Sequence, residues 1–258
     1  MAFTLAHPAA VAPLWYATGR RLPLAALVFG AMSPDFEYLF RLAPRGSAGH
    51  DFVGIVAFCV PASLGALFLF ETIVRAPFAR LLGLPPRIVA GPERTARWWA
   101  GAAVASLLGA ATHVVWDAFT HGDGWMVLAI AGLRAEALWG MAWFSLLQRL
   151  STLAGAIVIA VWLASSRHAL RSARIVAFSR RRRRIVLALL AVAFFAALAN
   201  GVRAAGIDPD RDALVRFLAF AAVGGMDGLA LVVLGYGLWW RAAERRAPVS
   251  SCRSGSCR

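Results

Sequence analysis

Apolar residues in this chain run in long, nearly unbroken stretches instead of alternating with polar ones. Five stretches stand out, Phe52 to Val74, Trp98 to Phe119, Leu150 to Ser165, Ile185 to Val202 and Leu214 to Trp240. Each is long enough, or nearly so, to cross a hydrocarbon core of ~30 Å as a helix, the third most readily if it starts near Trp143. Two shorter apolar pieces, Ala9 to Thr18 and Leu22 to Met32, flank Gly19-Arg20-Arg21. They read as a helical hairpin that dips partway into the bilayer or packs inside the protein. A further piece, Glu136 to Leu147, is placed along the surface or against the bundle. The pattern therefore predicts an all-α polytopic transmembrane bundle of about five spans plus a short N-terminal hairpin. It forms one domain over residues 1–240, followed by a basic, disordered tail over 241–258.

Composition agrees. Of 258 residues 60% are hydrophobic and 16% charged, well away from the balance of a soluble domain. The net charge of +14 suggests nucleic acid only if the arginines lie on a polar fold. Here they gather in short loops between apolar stretches, and the run Arg180 to Arg184 directly precedes one, so it reads as a topology anchor against lipid headgroups. No nucleic-acid partner is expected. Arginine counting orients the chain. The loop with Arg75, Arg80, Arg87, Arg94 and Arg97, the loop with Arg167, Arg171, Arg174 and the five-arginine run, and the C-terminus with Arg241, Arg245 and Arg246 are all expected in the cytoplasm. His168 reads as part of that surface. The opposite loops are poorer in arginine or balanced by acid, as at Asp208-Pro-Asp210-Arg211-Asp212. Residues His50 and 120–149 then face the extracytoplasmic side of a bacterial inner membrane. No cleavable signal peptide is read at the N-terminus. Cys59 counts as a small hydrophobe, and Cys252 and Cys257 as tail residues.

The chemistry is unevenly spread. Thr112-His113-Val-Val-Trp-Asp117-Ala-Phe-Thr-His121 sets two histidines and a carboxylate four residues apart at the end of an apolar stretch. His113 and Asp117 share a helical face, and His121 joins them if the helix frays there. If the short hairpin goes down and returns, His7 and Asp35 finish at the same level, as do His50, Asp51, Glu37 and Asp123. Neutral imidazole and carboxylate suit zinc and also manganese or iron. Water on such a metal loses its proton near pH ~7 and becomes a nucleophile. Glu37 or Asp51 would then act as general base, or orient a ligand histidine. Taken singly, these residues have structural readings: His113 with Asp117 as a helix-stabilising pair, His121-Gly122-Asp123-Gly124 as a helix stop, Asp35 as a cap. Taken together they favour a shared metal, because half-buried ionisable groups in an apolar protein are costly unless paired or metal-bound.

Asp227 stands apart at the middle of the last stretch, where an isolated charge costs on the order of 3 kcal/mol. A hydrogen bond to Asn200 or to a hydroxyl is the simpler account, a proton or ion path the other. Glycines 224 and 225 read as packing residues.

The opening Met1-Ala-Phe-Thr-Leu-Ala-His7-Pro8, the stretch Leu24 to Tyr38 with Met32-Ser33-Pro34-Asp35-Phe36-Glu37, the lone His50 and the His113 to His121 motif resemble an uncharacterised bacterial membrane-protein family, domain-of-unknown-function family 4184. That family is similar to membrane-bound metal-dependent hydrolases and, more remotely, to zinc-dependent phospholipase C. The resemblance implies metal ligands at His7, Asp35, His50, His113, Asp117 and His121, with mononuclear or dinuclear zinc as the cofactor. This chain has too few histidines for the trinuclear site of the phospholipase. The resulting expectation is metal-dependent hydrolysis at the extracytoplasmic face, on a phosphoester of a membrane lipid or lipid-linked substrate. The rivals are an ion or metal transporter and a non-catalytic scaffold with a structural metal. A transporter needs polar residues through the membrane depth, where only Asp227 and Asn200 stand.

Overall fold

The computed structural model describes residues 4–46, 48–84, 86–171, 180–205 and 213–246. Arg174, the acidic loop Asp208 to Asp212 and the tail with Cys252 and Cys257 lie outside the described residues, as do the side chains of Arg167, His168 and Arg171. Among the described residues five helices are long and apolar enough to cross a membrane, Phe52–Leu81, Ala96–Ala129, Trp143–Ser165, Arg180–Ala205 and Ala213–Arg246. The protein is an all-α, multi-pass bundle. Large apolar side chains point outward, Phe194, Phe195 and Leu231 each being more than half exposed. A helix clothed in hydrocarbon on its outer side satisfies its backbone internally and needs lipid around it.

The N-terminus forms the hairpin. A 3-10 segment, Thr4–Ala10, leads into α1 (Val11–Ala17), and α2 (Leu24–Met32) returns. The reversal at Gly19-Arg20 takes both residues through positive φ, and the Arg20 guanidinium lies over the rings of Trp15 and Tyr16. A short 3-10 turn, Ser33–Asp35, and α3 (Phe36–Arg41) follow.

The first span, α4 (Phe52–Leu81), is not a regular helix. It widens into π turns at Ile55–Cys59 and Phe70–Val74. Pro61 and Pro77 explain both. Each lacks an amide N–H and crowds the carbonyl four residues back, at Ala57 and Ile73, and a wider turn relieves that clash.

The second long helix, α5 (Ala96–Thr120), starts on the Thr95 side chain, whose hydroxyl accepts from the Trp98 amide. It packs along α2 through small residues. A Cβ on Gly30 would stand 2.3 Å from the Ser106 carbonyl oxygen, and one on Gly109 2.3 Å from that of Leu27. Only glycine allows the backbones so close, the small-residue packing of membrane helices. Ala26, Leu27, Ala31, Ala102 and Ala105 are fully buried in this seam.

Residues Glu136 to Leu147 divide. Glu136–Leu138 and Met141–Ala142 form a short antiparallel β-hairpin, turned by Trp139 and Gly140, both at positive φ. Trp143 already opens the next helix, α6 (Trp143–Arg171). The last two helices, α7 (Arg180–Ala205) and α8 (Ala213–Arg246), pack closely where Gly224 meets the Ala196 carbonyl. The bond expected between Asp227 and Asn200 is not made. The Asn200 amide donates instead to the carbonyls of Leu42 and Phe220, and its oxygen accepts from Arg203. Its partners are therefore the α3 end and the neighbouring helix, leaving Asp227 Oδ2 buried without a hydrogen bond.

Candidate metal centre

The α2 to α5 seam determines the site. Because the two backbones nearly touch at Gly109, the Ala31 carbonyl sits 2.7 Å from His113 Nδ1. That nitrogen must donate, so Nε2 carries the free lone pair and points to the open side. One helical turn later Asp117 presents Oδ2 at 3.1 Å from His113 Nε2. From the 3-10 turn after α2, Asp35 brings Oδ1 to 3.7 Å from the same Nε2. The Thr4 hydroxyl donates to Asp35 Oδ2 at 2.6 Å, which holds that carboxylate by its far oxygen and leaves Oδ1 inward.

The remaining histidines close the ring. His7, in the N-terminal 3-10 segment, stacks on His113 with ring centroids 3.7 Å apart and puts Nε2 3.6 Å from Asp117 Oδ1. His50, just ahead of α4, lies 3.8 Å from Asp35 Oδ1 and 3.7 Å from Asp117 Oδ2. His121 terminates α5 with extended backbone, and its Nδ1 stands 3.3 Å from Asp117 Oδ1. Gln148 from α6 approaches its other nitrogen at 3.3 Å. Asp35, His7, His113 and Asp117 are buried, whereas His50 and His121 are about a quarter exposed. The centre is closed on the protein side and opens past those two imidazoles.

The residues fit a divalent cation. Ligands at ~2.1 Å from a tetrahedral ion stand about 3.4 Å from one another, and the nitrogen to oxygen separations here run from 3.1 to 3.8 Å. Two overlapping sets, His7 with Asp35 and His113, and His50 with His113 and Asp117, have their ligand atoms within 4.8 Å of one another. Asp117 Oδ1 is buried without a hydrogen bond although four imidazoles surround its carboxylate. An orphaned carboxylate oxygen is costly to bury, and a cation beside it removes the cost. Burial pushes the His7 imidazole down to about 3, with His113 beside it acting in the same sense. His7 is therefore neutral and able to ligate at physiological pH. Burial first, then the Asp35 carboxylate, pushes the Tyr38 phenol far above its ordinary range. Tyr38 thus stays protonated next to that ligand.

Six sequence candidates, His7, Asp35, His50, His113, Asp117 and His121, converge in this way. Glu37 and Asp51 do not join them. Glu37 accepts from the Ala48 amide at 3.2 Å and pairs with Arg41. Asp51 caps α4 by accepting from the Gly54 amide at 2.6 Å. Both carboxylates accept from a backbone amide, and neither belongs to the two ligand sets. Asp123 is exposed in the turn after α5. Sequence reasoning missed Thr4, the Ala31 carbonyl, Tyr38 and Gln148. The one local signal was Thr4, three residues before His7 and so on the same side of a 3-10 turn.

Acid should loosen the metal-free fold through His7. Between pH 6.5, the ordinary imidazole value, and about 3, the unfolded chain holds a proton on His7 that the folded chain refuses. The His7 contribution is intact above 6.5 and declines as pH falls, at up to about 1.4 kcal/mol per unit. Denaturation midpoints in chelator at pH 7, 6 and 5 should fall more steeply for the parent than for His7→Gln. Parallel slopes would show that His7 is not held neutral.

A polytopic helical membrane protein with a histidine and aspartate cluster at the ends of its spans is the class that fold and site define. The chain belongs to the family described as a domain of unknown function, DUF4184, whose profile matches residues 1–238. No curated protein and no solved structure matches it.

Proposed function

We propose that this protein is a membrane-bound metal-dependent hydrolase that cleaves a phosphoester of a lipid or lipid-linked substrate. The observation that carries the reading is the convergence of four imidazoles and two carboxylates at the helix ends, closed inside and open past His50 and His121. A site at that level meets lipid headgroups directly. The resemblance read from the His7, Asp35, His50 and His113 to His121 motifs, to membrane-bound hydrolases and remotely to zinc-dependent phospholipase C, is the expectation this reading follows. Arginine counting puts the site on the extracytoplasmic face of a bacterial inner membrane, with the C-terminus in the cytoplasm.

His7, Asp35, His113 and Asp117 would hold the ion, with His50 completing the set from the open side. A zinc-type ion bound there supplies Lewis acidity toward a phosphoryl oxygen and activates water at neutral pH. The Ala31 carbonyl and the Thr4 hydroxyl orient His113 and Asp35 through the atoms that do not ligate. His121, with Nδ1 against Asp117 and its ring reaching the surface, is the group placed to move a proton.

Purified, zinc-loaded protein should release inorganic phosphate from a lipid or prenyl phosphomonoester, or a phosphorylated headgroup from a glycerophospholipid diester, for at least one member of a panel of both. His121→Gln should slow release by about 100-fold while retaining metal. Full metal occupancy with no release from any lipid would make the centre structural. Reporter fusions after residues 90 and 130 test orientation, and a cytoplasmic signal at 130 would reverse the facing of the site.

A further inference from the structure

At the other end of the bundle, away from the histidines, three spans meet around a cavity of about 380 Å³. The end of α4 contributes Arg80, the first turn of α7 contributes Arg181 and Arg182, and the last turns of α8 contribute an aromatic wall. That wall is fixed from behind: the Tyr236 ring meets Phe78 edge to face at 5.2 Å and Trp239 at 5.9 Å. Arg80 lies 4.9 Å from the centre of the Trp240 ring and donates to Glu244 at 3.2 Å. Leu81 and Ile185 give the cavity an apolar lining between the guanidinium groups and the rings.

Three properties together specify an occupant. The lining is strongly positive, since Arg80, Arg181 and Arg182 stand in it and its described residues include no acid, Glu244 pairing with Arg80 beside it. The cavity sits where helices leave the hydrocarbon, the level at which tyrosine and tryptophan rings bridge oil and water. Its lining changes from cationic to apolar, which matches a molecule with an anionic head and a hydrocarbon body. We propose that the cavity binds an anionic phospholipid, with its phosphate on Arg181 and Arg182 and its glycerol and first methylenes against Leu81, Ile185 and Trp239. Arginine's planar fork suits a phosphate oxygen pair, and basic pockets between spans on the arginine-rich side are a known headgroup environment. The lipid would clamp α7 and α8 to the end of α4, independently of any chemistry at the histidine cluster.

The test uses the full chain in detergent, with bound lipid counted by native mass spectrometry. Phosphatidylglycerol should be retained in preference to phosphatidylcholine. Arg181→Gln with Arg182→Gln should weaken phosphatidylglycerol binding about 30-fold. Arg183→Gln with Arg184→Gln removes the same charge outside the cavity and should change binding less than about 3-fold. If the first pair does not fold, Arg80→Gln reads the same cavity with an expected loss of about 5-fold. Equal losses from the two double variants would reduce the effect to diffuse surface attraction and overturn the proposal. Displacement of the lipid by millimolar inorganic phosphate, or equal retention of the two lipids, would overturn it as well.

Discussion

Replacing His113 with alanine is expected to empty the proposed metal centre. His113 belongs to both ligand sets, so its loss breaks each of them at once. Its Nε2 is the atom from which Asp117 and Asp35 stand 3.1 and 3.7 Å away. Losing a group that merely orients a ligand weakens metal binding by about 10–100-fold, so losing the shared ligand itself should exceed 100-fold. Asp117→Asn should fall in the same range while keeping volume and hydrogen-bonding capacity. It removes the charge that lies among His7, His50, His113 and His121. Elemental analysis of the purified parent and both variants, normalised to protein, reads the effect directly. Equal metal content in all three, or negligible metal in the parent, would leave the cluster as a hydrogen-bonded core feature.

The fold class was legible because lipid imposes long apolar runs, and no other constraint on the chain is as strong. The convergence of the cluster was legible for two further reasons. The i, i+4 spacing puts His113, Asp117 and His121 on one face. A hairpin of two short apolar pieces returns Asp35 to the level of His7. What remained hidden depends on tertiary contacts that leave little trace in local pattern. Glu37 and Asp51 have the same chemistry as Asp35 and Asp117, and only their neighbours separate them. The Ala48 and Gly54 amides claim the first two, whereas Asp35 Oδ1 and Asp117 face imidazoles. For Asp227 the sequence offers Asn200 or a hydroxyl as hydrogen-bond partner. The carbonyls at Leu42 and Phe220 compete better, because a buried backbone acceptor also needs a donor. Gly30 and Gly109 were indistinguishable from the other glycines among the 23 in the chain, because a close helix approach leaves no mark on the residue that permits it.

That close approach makes a separate prediction, in which no ligand is touched. Gly109→Ala adds one methyl group on the face of α5 that meets α2. It would lie 2.3 Å from the Leu27 carbonyl oxygen and 2.8 Å from the Ala31 amide nitrogen, both backbone atoms that cannot swing aside. The helices must separate, at a cost of about 1–3 kcal/mol. Separation also draws the Ala31 carbonyl away from His113 Nδ1, which releases the imidazole to rotate. Metal affinity should therefore fall about 10–100-fold, the range for a lost orienting bond. Gly101→Ala, two turns earlier on the same helix, provides the contrast. Its methyl would meet nothing closer than Pro23 Cδ at 3.8 Å, an ordinary contact. Alanine there should instead gain about 0.5–1 kcal/mol from its better helix propensity, with metal content unchanged. Thermal melting should thus fall for Gly109→Ala and rise for Gly101→Ala, while metal stoichiometry falls in the first variant alone. A Gly109→Ala protein that melts and binds metal like the parent would show that the α2 to α5 seam does not set the geometry of the centre.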